Sequence, residues 1–199
     1  FWFSFHQNGL TLTFFAKEYT DLNLFGMPIS AELFQSLNPF FVVFLTPVVM
    51  AIFARQRARG CEPSTPKKIA IGMGIAASAF VVMAVGSFVS NLPLHKEILE
   101  VGTSPVKVTP LLLMVTYLIL TVAELFISPL GLSFVSKVAP PKYKGMMMGG
   151  WFVATAIGNY LVAIIGYLWG GMQLWMVWSV LIVLCLLSAL FMFSIMKKL

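Results

Sequence analysis

Charge is what this sequence has least of. Asp, Glu, Lys and Arg make up only 10% of its 199 residues and 59% are hydrophobic, whereas soluble domains carry about 25% charged residues. A water-facing surface cannot be built from that composition, so a soluble enzyme or a nucleic-acid-binding domain is excluded and the bilayer becomes the solvent. The net charge of +6 therefore reports topology and not a basic patch for nucleic acid. Histidine and cysteine are nearly missing as well, with two of each. Cys61 stands in a charged loop and Cys185 deep in an apolar run, which argues against a disulfide. His6 lies in an apolar segment and His95 in a loop on the other side of two such segments, and no HExxH, CxxC, nucleophile elbow or phosphate loop occurs, so the chain is expected to use no metal, no cofactor and no covalent catalysis.

Long apolar runs are what it has instead. A crossing of about 30 Å of hydrocarbon takes about 20 apolar residues at 1.5 Å each. Six segments qualify, near 1–16, 29–54, 69–90, 109–136, 146–168 and 173–195, separated by charged and Pro/Gly-rich stretches. The expected fold class is an all-α membrane protein whose residues 1–199 form one bundle of six transmembrane helices. The chain opens inside an apolar segment with no initiator Met and no basic n-region, the pattern expected of a piece of a longer protein and not of a signal peptide.

Orientation follows from the basic residues, which accumulate in short cytoplasmic loops. Arg55, Arg57, Arg59, Lys67 and Lys68 fall between the second and third segments, Lys137, Lys142 and Lys144 between the fourth and fifth, and Lys197 and Lys198 in the tail, ten of thirteen in all. The opposite face has Lys17, Lys96 and Lys107 with Glu18, Asp21, Glu97 and Glu100. The first face is expected to be cytoplasmic.

Polar residues inside hydrocarbon are costly unless they meet a partner or a wet cavity. The first segment has His6, Gln7, Asn8, Thr11 and Thr13; the second Gln35, Ser36, Asn38 and Thr46; the fourth Tyr117, Thr121, Glu124 and Ser128; the fifth Thr155, Asn159 and Tyr160. The third and sixth offer little beyond serines, so the pattern runs polar, polar, apolar, twice over. That is the pattern expected of a 3+3 inverted repeat inside one half of a major facilitator fold, with two helices of each unit facing a cavity. Tyr117, Thr121, Glu124 and Ser128 form one stripe at i, i+4, i+7 and i+11, and Trp2, His6, Gly9 and Thr13 repeat that spacing. Single Ser and Thr residues are also ordinary interhelical glue. Glu124 is different: it is the only acid deep in any segment, and an ionised carboxylate there costs several kcal/mol unless it is protonated, paired or wet.

The motifs now become specific. Phe1-Trp2, Gln7 and Phe15-Ala16, then FQSLNP over residues 34–39 with Pro47, then Glu124-Leu125, Ser128-Pro129, Gly131-Leu132-Ser133, Ala139-Pro140-Pro141, Gly145, Met147-Met148-Gly149 and Trp151-Phe152, closing on Ala156, Gly158 and Asn159, make a chain that closely resembles the proton-dependent oligopeptide transporter family. The resemblance covers nearly the whole chain and corresponds to the last six of the family's twelve helices. It implies symport of di- and tripeptides with protons across the cytoplasmic membrane of a bacterial cell, with the N-terminal six-helix half and the lipid bilayer as partners and no nucleic acid. It also implies roles. Glu124 matches the acid that holds the peptide's amino terminus, Ser128 a neighbouring pocket hydroxyl, and Asn38 the amide that bonds the peptide backbone, with Gln35 on the same face. Trp2, Trp151 and Phe152 match aromatic pocket walls. Each role suits its chemistry: a carboxylate for an ammonium, an amide for amides, aromatic walls for varied side chains.

One position departs from the family. Many members have an acid where this chain has His6, an acid associated with proton coupling. His6 and Glu124 are therefore both proton-coupling candidates, since an imidazole ordinarily titrates near ~6.5, beside the plainer reading of a tolerated, structural histidine. Transport of another small solute by the same fold, or a non-transporting membrane subunit or channel, are the alternatives the residues leave open.

Overall fold

The computed structural model describes residues 1–24, 26–99 and 101–196. Phe25, Glu100 and the expected basic tail at Lys197 and Lys198 lie outside the described residues. Helix dominates. The elements are α1 (Trp2–Phe5), a 3-10 turn (His6–Gly9), α2 (Thr11–Tyr19), a two-residue hairpin pair Asn23–Leu24 and Met27–Pro28, a second 3-10 turn (Ala31–Ser36), α3 (Leu37–Ala58), α4 (Thr65–Val89), the short α5 (His95–Ile98), α6 (Pro110–Val138), a third 3-10 turn (Pro141–Tyr143), α7 (Lys144–Trp169) and α8 (Leu174–Met196). Five stretches, Ala31–Ala58, Thr65–Val89, Pro110–Val138, Pro141–Trp169 and Leu174–Met196, are long and apolar enough to cross a membrane. Their starts follow local rules. Pro110 opens α6, where its missing N–H costs nothing, and the Thr109 hydroxyl accepts from the Leu111 N–H.

The first apolar stretch is not one helix. It turns at His6–Gly9 and breaks at Leu10, whose φ of −125° and ψ of −82° are not helical. The α-helical spacing that would put Trp2, His6, Gly9 and Thr13 in one line is therefore interrupted between His6 and Thr13. The carbonyl of Asn8, inside the break, receives the Thr13 hydroxyl at 3.1 Å and the Tyr117 hydroxyl of α6 at 2.9 Å. A backbone acceptor left over in hydrocarbon would cost several kcal/mol, so these two donors are what makes the break tenable.

α4 packs closely against both α6 and α8. Ala76, Ala79, Phe80 and Met83 of α4 are fully buried there, as are Leu181 and Trp178 of α8. The Trp178 ring lies nearly parallel to Phe80, and its Nε1 donates to the Ser87 hydroxyl at 3.1 Å. Gly72 brings α4 against α6: a Cβ there would stand 2.7 Å from Ile127 Cγ1 and 2.8 Å from Phe126 Cβ. With lipid as apolar as the side chains, such close packing replaces the hydrophobic effect as the force between helices.

Polar clamps close both ends. At the end away from the basic loops, Glu18 of α2 accepts from Trp169 Nε1 of α7 at 3.1 Å and meets His95 Nδ1 of α5 at 2.9 Å. Backbone bonds between Tyr19, Asp21 and Val108 tie the same region to the start of α6. At the basic end, Glu62 meets Arg57 Nε at 2.7 Å and Lys68 Nζ at 2.5 Å. Lys68, which the sequence places with the loop, is built into the first turn of α4, buried, its Nζ 4.1 Å from the centre of the Phe53 ring.

Candidate functional site

Glu124 sits near the middle of α6, half-buried, and faces α3. Its Oε2 accepts from Asn38 Nδ2 at 3.0 Å, and the same nitrogen stands 3.2 Å from Thr121 Oγ1, one turn back on α6. Asn38 is in the first turn of α3, next to Pro39, whose lack of an N–H is harmless at a helix start. An acid and an amide from helices 86 residues apart are thus brought into contact. Among the described residues no Lys or Arg pairs with Glu124.

The other expected residues fall into two groups around this pair. Gln35, in the 3-10 turn before α3, donates its Nε2 to Thr13 Oγ1 at 3.0 Å. Thr13 in turn bonds the Asn8 carbonyl, so Gln35 is joined to the break in the first stretch and not directly to Glu124. Ser128 lies one turn beyond Glu124, half-buried, with no hydrogen bond among the described residues, and Pro129 after it removes the N–H that would bond the Leu125 carbonyl.

Aromatic residues form the second group. Trp2 meets Trp151 of α7 edge to face, with centroids 6.4 Å apart, and lies nearly parallel to the His6 ring at 5.2 Å. Two glycines make room for these indoles. A Cβ on Gly131 would come within 2.1 Å of the Trp151 ring, and one on Gly158 within 2.7 Å of Trp2 Cβ. His6 Nδ1 stands 2.9 Å from the Trp2 carbonyl. A carbonyl only accepts, so Nδ1 carries the hydrogen and Nε2 is the nitrogen available to take up a proton. Phe152 stands apart: it is 59% exposed, and no aromatic contact among the described residues joins it to Trp2 or Trp151.

Tyr117, Thr121 and Thr13 had been legible only as members of polar stripes. In the folded chain they connect the candidate residues: Gln35 to Thr13, Thr13 and Tyr117 to the Asn8 carbonyl, Thr121 to the Tyr117 carbonyl, and Asn38 to Thr121 and Glu124. The adjacent Asn8 and Gly9, a pair that favours turns, are the sequence signal for the break on which this chain of contacts turns. A half-open apolar cleft of about 110 Å³ lies apart from Glu124, between Ile29, Leu33, Phe34, Leu37, Pro110 and Met114.

Long apolar helices, with an acid in the middle of one bonded to an amide at the start of another, define a multi-pass membrane protein. Comparison with known proteins makes this particular: the POT family profile matches residues 1–170, and the chain belongs to that family. Peptide transporter YePEPT of Yersinia enterocolitica is 34% identical over 166 residues, covering 83% of this chain and 30% of its own length. Dipeptide and tripeptide permease A of Chromobacterium violaceum is 33% identical over 161 residues, 81% of this chain and 30% of the relative. Among solved structures, a mutant of peptide transporter POT in complex with alafosfalin superposes with a TM-score of 0.84 at 27% identity, over 99% of this chain and 38% of that one. A POT family transporter in complex with a thioalcohol-conjugated peptide gives 0.77 at 25% identity, over 99% and 38%. The chain thus spans about 30% of the length of these curated relatives.

Proposed function

We propose that this chain is the C-terminal half of a proton-coupled symporter of di- and tripeptides in the cytoplasmic membrane of a bacterial cell, with Glu124 as the group that holds the peptide's ammonium. One observation carries the reading: the single mid-span carboxylate is held by a neutral amide, Asn38, at 3.0 Å, and has no cationic side chain beside it among the described residues. An acid so placed is matched by a cation that arrives with the substrate, and the names of the relatives, peptide transporter and dipeptide and tripeptide permease, suggest the class of that substrate. Asn38 and Ser128 flank the ammonium with neutral polar groups, and Gln35 extends the same wall. Trp2 and Trp151 form the aromatic side, with Phe152 on the open face of α7 where the N-terminal half would meet it. His6, stacked on Trp2 with its Nε2 free to accept, is the second proton-coupling candidate beside Glu124.

The test uses the full-length transporter. Glu124→Gln keeps size and hydrogen bonding and removes charge; a charge-assisted contact is worth roughly 1.5–3 kcal/mol, so a free dipeptide should bind about 10- to 100-fold more weakly. An N-acetylated dipeptide should bind the unmodified protein poorly and lose much less on substitution. Equal losses for both peptides would show that Glu124 does not read the amino terminus.

A further inference from the structure

We propose that Thr121 is a positioning residue that fixes which end of the Asn38 amide faces the substrate; this rests on the reading that Asn38 and Glu124 bind the peptide. Thr121 is fully buried. A hydroxyl has one hydrogen, and that of Thr121 is given to the Tyr117 carbonyl at 2.8 Å, so only its lone pairs face Asn38, 3.2 Å away. The ionised Glu124 is an acceptor as well, at 3.0 Å from the same nitrogen. Two acceptors on one side force the NH2 group of the amide toward them, and Oδ1 is turned the other way, where nothing among the described residues donates to it.

The contribution of Thr121 is distinct from that of Glu124. A carboxyl that gains a proton becomes a donor and can hold either end of an amide, so Glu124 alone would let Asn38 reverse whenever it is protonated. Thr121, whose proton is already committed, keeps the NH2 end inward in both states. Asn38 then always presents an acceptor to the cavity, which selects a substrate N–H over a carbonyl at that point. Thr116 of the same helix supplies the internal comparison: it is equally buried and bonds the Leu112 carbonyl at 2.8 Å, yet has no side-chain partner.

Binding of an unmodified dipeptide to the purified full-length transporter tests this. Thr121→Val keeps the shape and removes the acceptor; the affinity should fall about 3- to 10-fold, the range of a single hydrogen bond. Thr121→Ser should restore the affinity, and Thr116→Val should leave it unchanged. In an Asn38→Ala background, Thr121→Val should cost less than about twofold further, because the group it positions is gone. Where the valine variant does not accumulate in the membrane, Thr121→Ala carries the same expectations. A serine variant as weak as the valine variant, or a full loss retained in the Asn38→Ala background, would make Thr121 a packing residue and overturn the proposal. Unchanged affinity in Thr121→Val while Asn38→Ala binds weakly overturns it too, and leaves the substrate reading standing. Unchanged affinity in both Asn38→Ala and Glu124→Gln removes the substrate reading and the positioning role together.

Discussion

The two sides of α6 are made of different material. Toward α4 it presents Ala123, Phe126 and Ile127 to Gly72, and beyond α4 the seam continues through Phe80 to Trp178 of α8. Toward the first stretch and α3 it presents Tyr117, Thr121 and Glu124, each with a polar partner on another element or on its own backbone. The first side is held by close contact, where every ångström of separation loses dispersion energy. On the second, directional bonds add to apolar contacts such as Phe53 of α3 against Phe126 and the buried Leu12, Phe15 and Ala16 of α2, and they reach a helix broken at Leu10. One helix can thus serve as a fixed wall on one side and as a chemical surface on the other.

The largest effect should come from breaking the packed side. Gly72→Leu would drive a side chain into Ile127, Phe126 and the Ala123 carbonyl, which a Cβ alone would approach to 2.7, 2.8 and 3.1 Å. Overpacking of this kind costs about 1–3 kcal/mol, and more where backbone must move. Thermal unfolding in detergent should show a clear loss of stability, while the surviving folded protein keeps its preference for free over acetylated dipeptides. A stable variant with altered preference would mean that the two sides of α6 are not separable.

How far each side was legible in the sequence follows the same division. The all-α membrane fold was readable because apolar length is a local property of the chain, and Glu124 stood out because one acid in an apolar run is also local. The pairing of Asn38 with Glu124 spans 86 residues and is invisible to periodicity; only the motif resemblance set the two side by side. The break at His6–Leu10 was missed because a single helical period was carried through residues 2–13, although Asn8 and Gly9 mark a turn. Gly72 and Gly131 gave no sign of what they accommodate, since a glycine in a membrane helix looks the same whether it faces lipid or an indole.

A smaller effect should appear on the polar side with Tyr117→Phe. The substitution leaves the ring and removes the donor that reaches the Asn8 carbonyl at 2.9 Å. Thr13 still bonds that carbonyl at 3.1 Å, so the loss should be about 1 kcal/mol, near the low end for a buried acceptor that loses a partner. Transport should then change more than unfolding does, because the bond holds the break in the first stretch and not the packed seam. If unfolding shifts and transport does not, the break is a passive feature of the fold.

The smallest effect concerns a residue that ties the two sides together at the basic end. Glu62 joins Arg57 of α3, which belongs to the polar side, to Lys68 of α4, which belongs to the packed side. The bond from Arg57 and then that from Lys68 hold its carboxyl at about 2, below the usual carboxylate value of 4.5. A group lowered on folding contributes its stabilisation in full above the unfolded value and loses it as the pH falls through the folded one. The clamp should therefore be intact above about pH 4.5 and weaken as the pH falls toward about 2. Glu62 is near the surface, and screening by water and salt keeps the effect small. Thermal unfolding at pH 5 and pH 2.5 should show wild type losing more than Glu62→Gln, whose side chain does not titrate, and the difference between the two should shrink at high salt. Parallel losses in both proteins would mean that α3 and α4 are held at this end by Lys68 against Phe53, and that the ion pairs are incidental.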